Sequence, residues 1–426
     1  IEAAEAAESS FGKHYVPESG DSSKPYWTAI ENQTFSCITR ACVCAFFGGD
    51  NSTTTLHTPA SMNSCRIPSG QSLQKAMRKE IRMLSDEERI RIEAALNDMK
   101  RDGTYNRLSR VHKYCGVHSG PAFTVWHREL LKRFEFTIRK YQPVPHTLGV
   151  PYWDTTLDSL LPEPKDSIMF SPIFLGTTDV EGHVVTGPYA NWTTMEGLPW
   201  ITRKIGSDPE GEFLTAARVD WIASHTDINK VLATTLPLTT CPDVDDLDER
   251  YLEYTFMSWS SSNDIVFLLH HSMIDYIFEM FREKGQTRQQ RERDYPRTDE
   301  RCFPPWHNWD SHMPFMAPIR NIDGLSNGYT DNLYEFASRP TCDETSKDCG
   351  SKYLFCNVRP RDGPICMSKV RMGGICAGYE GTQICYMGVC QSGVCNPAPE
   401  SPKKTKTEKL PMSSKLKFPN FGNMNM

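Results

Sequence analysis

The chain has 426 residues, of which 38% are apolar and 11% aromatic, so it can bury a sizeable core. Its net charge of −6 argues against a nucleic-acid partner. No apolar run reaches the roughly 18 residues of a membrane span. Neither a glycine-rich phosphate loop nor a Gly-x-Ser-x-Gly elbow occurs, which argues against the enzyme classes that depend on them.

The first stretch, residues 1–74, is expected to be a loosely structured extension tied by disulfides. It carries four of the fifteen cysteines, and this abundance of cysteine indicates an oxidising compartment. Asn-x-Ser/Thr sequons predict glycosylation at Asn32, Asn51 and Asn191. The acidic start, residues 1–5, is typical of a mature or truncated N-terminus. We therefore expect a secreted, extracellular glycoprotein.

The next segment predicts two helices separated by breaks. Ser85 opens a capping box, Ser-Asp-Glu-Glu, in front of an amphipathic run. Gly103 interrupts that run, and a short segment then leads to His112. Two more glycines break the pattern again before Pro121, a residue suited to the first position of a helix.

Three of the 12 histidines cluster here, and we call His112, His118 and His127 the histidine trio. A helix turns about 100° per residue, so His118 and His127 would lie on opposite faces of one continuous helix. They converge only if His118 lies in a loop and His127 in the helix behind it. Imidazoles in threes are typical of copper, zinc and iron sites. Ordinary polar residues of a helical hairpin are the alternative, but the trio and its loop favour a metal site.

A further helix is predicted from Ser262 to Asp275. Ser262 or Asn263 is suited to cap it, and apolar residues fill nearly every position up to His270 and His271. Such a helix is buried all round, and a buried histidine pair needs hydrogen-bond partners or a metal. Asp275, one turn after His271, is suited to orient an imidazole from behind. A core histidine satisfied by hydrogen bonds is the alternative.

These residues resemble the type 3 copper proteins, which are tyrosinases, catechol oxidases and molluscan haemocyanins. The copper motifs of that family are matched by Asp102–Tyr105, Val111–His112, His118–Phe123, Trp126–Arg128, Pro151–Asp154 and Asn263–Asp275. A further resemblance, to the secreted invertebrate tyrosinases, lies in Gly187–Trp192, Asp323–Asn327 and Cys349–Cys395. The resemblance covers roughly residues 75–395. It implies a mainly α fold, with a tyrosinase-type helical bundle around two coppers and a small disulfide-rich C-terminal module.

The resemblance also implies the ligands. Copper A is expected on the histidine trio, and His271 is expected as the third ligand of copper B. The family takes its other two copper B ligands from a His-x-x-x-His helix before the double histidine, but Tyr251–Ser262 contains no histidine. One bundle helix is therefore expected to be missing at residues 254–262, which makes copper B doubtful. His225 is the nearest upstream substitute. No catalytic residue is assigned beyond the metal ligands.

The remaining cysteines leave two questions open. Cys115 is the odd one, and some relatives link a cysteine near this position to a ligand histidine as a thioether. There the cysteine lies two residues before the histidine, whereas here it lies three before His118, and a free buried thiol is the alternative. Cys241 and Cys302 remain for a further disulfide.

Four regions are expected along the chain. The extension at 1–74 leads into a tyrosinase copper-binding domain at 75–340. Residues 341–396 are expected to form a cysteine-rich module that needs its disulfides to fold, because it is poor in apolar residues. Residues 397–426 are expected to be a basic disordered tail, either simply solvated or in contact with an acidic matrix.

Two functions follow from the resemblance. A secreted tyrosinase or catechol oxidase would use copper to convert small phenols or protein tyrosines to o-quinones, an activity that an incomplete copper B site is expected to impair. A non-catalytic extracellular matrix or binding component on the same scaffold is the alternative. An oxygen carrier is less favoured, because it needs the same two coppers.

Overall fold

The computed structural model describes residues 27, 35–50, 65–118, 120–142, 147–206, 213–232, 261–299 and 302–398. Helices dominate this part of the chain, which confirms the mainly α fold predicted from the sequence. The α-helices are α1 (Arg40–Phe46), α2 (Asp86–Arg101), α3 (Thr104–Cys115), α4 (Ala122–Tyr141), α5 (Ala216–Ser224), α6 (Ile228–Val231), α7 (Ile265–Gly285) and α8 (Arg288–Arg291). The strands are β1 (Ala76–Arg78), β2 (Tyr334–Phe336), β3 (Leu354–Asn357), β4 (Ile365–Ser368), β5 (Gly388–Gln391) and β6 (Val394–Pro397). Short 3-10 or π turns lie at Ile81–Met83, Thr155–Leu157, Pro164–Asp166, Ile168–Phe170, Ser261–Asn263, Pro305–His307, Asn321–Leu325 and Tyr329–Leu333.

The helix starts follow the capping signals of the sequence. Ser85 and Glu88 form the predicted capping box of α2. Gly103 separates α2 from α3 with φ at 86°, a conformation that favours glycine. The cap of α7 is Asp264, not Ser262 or Asn263 as the sequence indicated. The Ser262 hydroxyl instead donates to the Ser109 carbonyl at 3.1 Å, which ties the start of α7 to α3.

The long helices pack around α4 and α7. Helix α7 contacts both α4 and α5, while α4 also contacts α2 and α3. One large apolar cluster fills the space between them, and Trp126 and Trp153 are fully buried in it. No helix within the described ranges is long and apolar enough to cross a membrane.

The two ends of this helical region meet in a parallel strand pair. Strand β1 pairs with β2 in a register that places Ala76 opposite Tyr334. The Arg78 guanidinium lies 3.5 Å from the centre of the Tyr334 ring, so the strands are also joined through their side chains. The polypeptide therefore enters and leaves the helical core at one place.

The cysteine-rich segment consists of two hairpins, β3–β4 and β5–β6. Its four disulfides are Cys342–Cys356, Cys349–Cys366, Cys376–Cys390 and Cys385–Cys395. The segment packs on the helical core rather than standing apart. The Tyr353 hydroxyl donates to Asp86 at 2.7 Å, and the partly exposed Arg371 pairs with the buried Asp166 at 2.8 Å.

The N-terminal cysteines also pair, as Cys37–Cys42 and Cys44–Cys65. Around them a small apolar cluster reaches Phe136 of α4. Cys302 is disulfide-bonded as well, and its expected partner Cys241 lies outside the described residues. The tail from residue 399 onward also lies outside them, so its predicted disorder stays a prediction.

Candidate metal centre

The histidine trio is brought together by a helix end, a loop and a second helix. His112 lies in the last turn of α3, His118 in the loop that follows, and His127 in the second turn of α4. One ring nitrogen from each lies within 4.8 Å of those of the other two. The Nε2 atoms of His112 and His118 are 3.3 Å apart. This is the arrangement that the loop break in the sequence predicted.

The ring nitrogens at this point lack enough hydrogen-bond partners. His127 donates from Nδ1 to the Phe123 carbonyl at 2.8 Å, so its Nε2 carries a lone pair. That Nε2 is buried and has no hydrogen-bond partner among the described residues. A buried polar atom without a partner is unfavourable, whereas a metal ion would accept lone pairs from all three rings. The trio therefore fits one metal ion.

The electrostatics keep the three rings neutral. Burial lowers the pKa of His118 to about 4. Burial also lowers the pKa values of His112 and His127 well below the ordinary histidine value, and the neighbouring imidazoles lower them further. The neutral form is the one that binds a metal, so these rings need not lose a proton first at neutral pH.

His271 lies beside the trio but does not join it. Its ring stacks on that of His127, with centroids 4.0 Å apart and planes 8° apart. Its Nδ1 is buried and has no hydrogen-bond partner among the described residues. The Phe267 ring, 4.4 Å from His271 and 4.5 Å from His112, covers both imidazoles. Within the described ranges, His271 belongs to no group of three potential ligands.

The missing copper B helix was predicted at residues 254–262. Most of this segment lies outside the described residues, because 233–260 are not among them. Residues 261 and 262 are seen at the start of the short turn before α7. His225, the substitute considered from the sequence, lies at the end of α5 with its ring 4.1 Å from that of Trp221. It joins none of the ligand groups formed by the described residues.

The expected role of Asp275 is wrong. Its carboxylate accepts hydrogen bonds from Arg128 Nε at 2.6 Å, Arg78 Nη1 at 2.8 Å and the Tyr334 hydroxyl at 2.6 Å. It does not orient His271, whose Nδ1 has no partner in the part of the chain that is described. Two buried guanidinium groups attract the carboxylate more strongly than a neutral ring can. Asp275 thus joins α7 to the arginine that follows His127.

His307 is a residue near the site that sequence reasoning missed. It is fully buried, and its Nδ1 accepts a hydrogen bond from the Ala122 backbone N–H at 3.2 Å. Burial lowers its pKa to about 3, which the backbone of His118 only partly offsets. The Trp- and Pro-rich stretch around it has no metal-ligand spacing, and no sequence signal could have placed it here.

The other predicted positions are compatible with their roles but remain predictions. Cys115 is free and buried in the last turn of α3, and burial raises the pKa of its thiol to about 12. Asn191 is exposed, as a glycosylated asparagine must be. Asn32 and Asn51 lie outside the described residues.

The fold and the site define a mainly helical protein with a three-imidazole centre of the kind that binds copper, zinc or iron. The sequence profile of the common central domain of tyrosinase matches residues 102–243. The chain is 39% identical over 386 residues to the tyrosinase-like protein tyr-3 of Caenorhabditis elegans, a match that covers 87% of this chain and 52% of the relative. It is 28% identical over 315 residues to tyrosinase-like protein 1 of Margaritifera margaritifera, covering 68% and 58%.

Among solved structures, a mutant polyphenol oxidase from Thermothelomyces thermophila matches with a TM-score of 0.46 and 18% identity, covering 64% of this chain and 90% of that one. A functional unit of Octopus hemocyanin matches with a TM-score of 0.40 and 16% identity, covering 62% and 68%. The chain belongs to the tyrosinase-like family of type 3 copper proteins. It spans about half the length of the Caenorhabditis elegans and Margaritifera margaritifera relatives.

Proposed function

We propose that this chain is a secreted copper protein that holds copper A through the histidine trio and has an incomplete copper B site. The observation that carries the proposal is the convergence of three ring nitrogens within 4.8 Å of one another. The partnerless Nε2 of His127 supports it, because a bound metal would satisfy that atom. Family membership supports copper as the metal.

The incomplete copper B site is supported by the sequence and by the position of His271. Tyr251–Ser262, where the family resemblance implies two further copper B ligands, contains no histidine. His271 packs flat against His127, and among the described residues it meets no second group of imidazoles. Reactive metal sites commonly use three protein ligands, and one imidazole falls short of that number.

An incomplete pair is expected to impair the oxidation of phenols and catechols to o-quinones. Conversion of a catechol to an o-quinone releases two electrons and two protons. A bound copper pair would pass these two electrons to dioxygen. A single copper ion would exchange only one electron at a time, so it would serve this reaction poorly. The chain itself keeps the trio neutral and shielded, with the rings of Phe123 and Phe267 packed against His127 and His112.

Small phenols or protein tyrosines are the proposed substrates of any remaining activity. A non-catalytic extracellular matrix or binding component is the second candidate. It is favoured by the cysteine-rich segment, whose four disulfides and close packing on the core need no active copper pair. Secretion is supported by the six disulfides between described cysteines, because disulfides persist in oxidising compartments.

The test is the copper content of the purified full chain, measured by mass spectrometry of the metal after loading with copper and desalting. We expect one copper per chain, its loss in His118→Ala, and no change in His312→Ala, which removes an exposed histidine. Catechol oxidation should stay near background. Two coppers with catechol turnover would contradict the incomplete copper B site, and no copper would contradict the copper A assignment.

Transcripts that encode residues 250–265 provide an independent check. A longer transcript with a His-x-x-x-His helix at this place would show that the present sequence is a variant of a two-copper form. Its copper content and catechol oxidation, measured beside those of the present chain, would then show what the missing helix contributes.

A further inference from the structure

His307 lies behind the loop that carries His118, although the two are far apart in sequence. Its side chain is fully buried, and its imidazole packs directly against Gly120. A Cβ atom at Gly120 would come within 2.7 Å of His307 Nδ1, a distance that real contacts do not show. The close packing of this ring therefore requires glycine at position 120.

The same ring satisfies the start of α4. Pro121 precedes the helix and provides no side-chain hydrogen bond as a cap. The first N–H groups of a helix lack partners within it, and that of Ala122 donates to His307 Nδ1 at 3.2 Å. His307 thus acts as a cap supplied from another part of the chain.

His307 is itself held in place on both sides. Asn321 donates from Nδ2 to the carbonyls of Trp306 and Asn308, each at 2.8 Å. The Tyr295 hydroxyl donates to the His307 carbonyl at 2.9 Å. A buried ring on a backbone fixed in this way has little freedom to move, so it can define the position of whatever packs against it.

We infer that His307 is a positioning residue for copper A. It fixes the turn from Gly120 to Ala122, and so sets the separation between His118, just before that turn, and His127, just after it. His307 is not a ligand itself, because its Nδ1 accepts from Ala122 and the proton of the neutral ring is then on Nε2. The inference rests on the proposed copper site on the histidine trio.

Two substitutions test the contact from opposite sides. His307→Leu removes the Nδ1 acceptor and leaves a side chain that still fills much of the buried space. Gly120→Ala instead forces the imidazole away while leaving the imidazole itself unchanged. His307→Asn is the conservative variant, since its amide oxygen can accept from the Ala122 N–H. The matched controls are His312→Ala, an exposed histidine in the same stretch, and Leu96→Ala, a buried residue of α2.

The first readout is Cu(I) affinity by competition with bathocuproine disulfonate. We expect His307→Leu and Gly120→Ala to bind Cu(I) about 10- to 100-fold more weakly, as for other residues that support metal ligands, and His307→Asn to recover part of the loss. The two controls should bind like the wild type, although Leu96→Ala lowers thermal stability. Wild-type affinity in both His307→Leu and Gly120→Ala would overturn the inference, as would an equal loss in Leu96→Ala.

The second readout is hydrogen–deuterium exchange of the copper-free protein. We expect faster exchange at the start of α4 in His307→Leu and Gly120→Ala and unchanged exchange there in the controls. If the wild type binds no Cu(I), the proposed copper A site is refuted. The exchange data then still test whether His307 caps the start of α4. Exchange at the start of α4 that is the same in all variants would overturn the positioning role even where copper binds.

Discussion

Asp275 lies at the centre of a buried ionic cluster that joins α4 and α7. Burial alone would raise its pKa, but Arg128 and Arg78 outweigh this effect, and the pKa lies below its ordinary value. Asp275→Asn preserves the shape of the side chain and removes its charge. Arg78 and Arg128 would then keep only Glu135 and Glu279 as carboxylate partners in the cluster.

The expected loss is about 3–5 kcal/mol in the free energy of unfolding, the usual cost of removing one partner from a buried ion pair. The hydrogen bonds account for part of this loss. An amide oxygen in the position of Oδ2 can still accept from Arg78 and Tyr334, but an N–H then faces Arg128, and the lost bond from Arg128 to Oδ1 is worth about 1.5–3 kcal/mol because both groups are charged. Urea unfolding of the disulfide-intact protein at pH 7, followed by tryptophan fluorescence, measures the loss.

The dependence on pH has a definite sign. Because the folded-state pKa of Asp275 is lowered, the stabilising effect of its charge is present above the ordinary carboxyl pKa of 3.8. It disappears as the pH falls through the folded-state pKa. The difference between wild type and Asp275→Asn should therefore be largest near pH 7 and shrink in acid.

Asp98→Asn is the control, since Asp98 pairs with Arg101 at the surface and should contribute less than about 1 kcal/mol. Folded Asp275→Asn should still bind copper, because Asp275 contacts no imidazole of the trio. A loss of stability no larger than that of the control would refute the reasoning. A loss of copper with unchanged stability would restore the role first expected from the sequence.

Three further outcomes are expected. Burial lowers the pKa of Lys100 to about 8, so the unfavourable effect of its buried charge on stability is present below pH 8 and disappears between pH 8 and 10.5; thermal melts of wild type and Lys100→Met should show the stability difference moving in favour of the wild type over that range, and a difference that does not change with pH would contradict this. Tyr353→Phe removes a hydrogen bond to Asp86 and should lower the free energy of unfolding by about 0.5–1.5 kcal/mol in urea titrations, with an unchanged value contradicting this docking contact. The Cys115 thiol should not react with iodoacetamide at pH 8 in the native protein, and one thiol per chain should react after unfolding without reductant, which leaves the disulfides intact. No reaction in either state would indicate a thioether.

The sequence predicted the part of the site that local rules govern. Helix periodicity excluded one continuous helix through His118 and His127, and the glycines with Pro121 supplied the break that the structure contains. The capping box at Ser85 also predicted where α2 begins. These signals act over a few residues, so they are legible without knowledge of the tertiary fold.

The contacts that support the site could not be predicted in the same way. Asp275 stands one turn from His271, and this spacing alone suggested a contact with it, but two arginines from other elements take its carboxylate. His307 reaches Ala122 across the fold, and no spacing links them. Ser262 was one of the two residues expected to cap α7, but its hydroxyl donates to the Ser109 carbonyl of α3 instead. Each of these outcomes is decided by partners that the fold brings in from distant parts of the chain.

The pairing of β1 with β2 has a consequence for the order of folding during synthesis. Ala76 can meet Tyr334 only after almost the whole helical region has left the ribosome, and contacts between such distant segments form slowly. The cysteine-rich hairpins join cysteines only 10 to 17 residues apart, so their loops close readily once both partners are present. The cysteine-rich hairpins can thus form from local contacts soon after they are made, whereas β1 is made early and stays unpaired until β2 has been made.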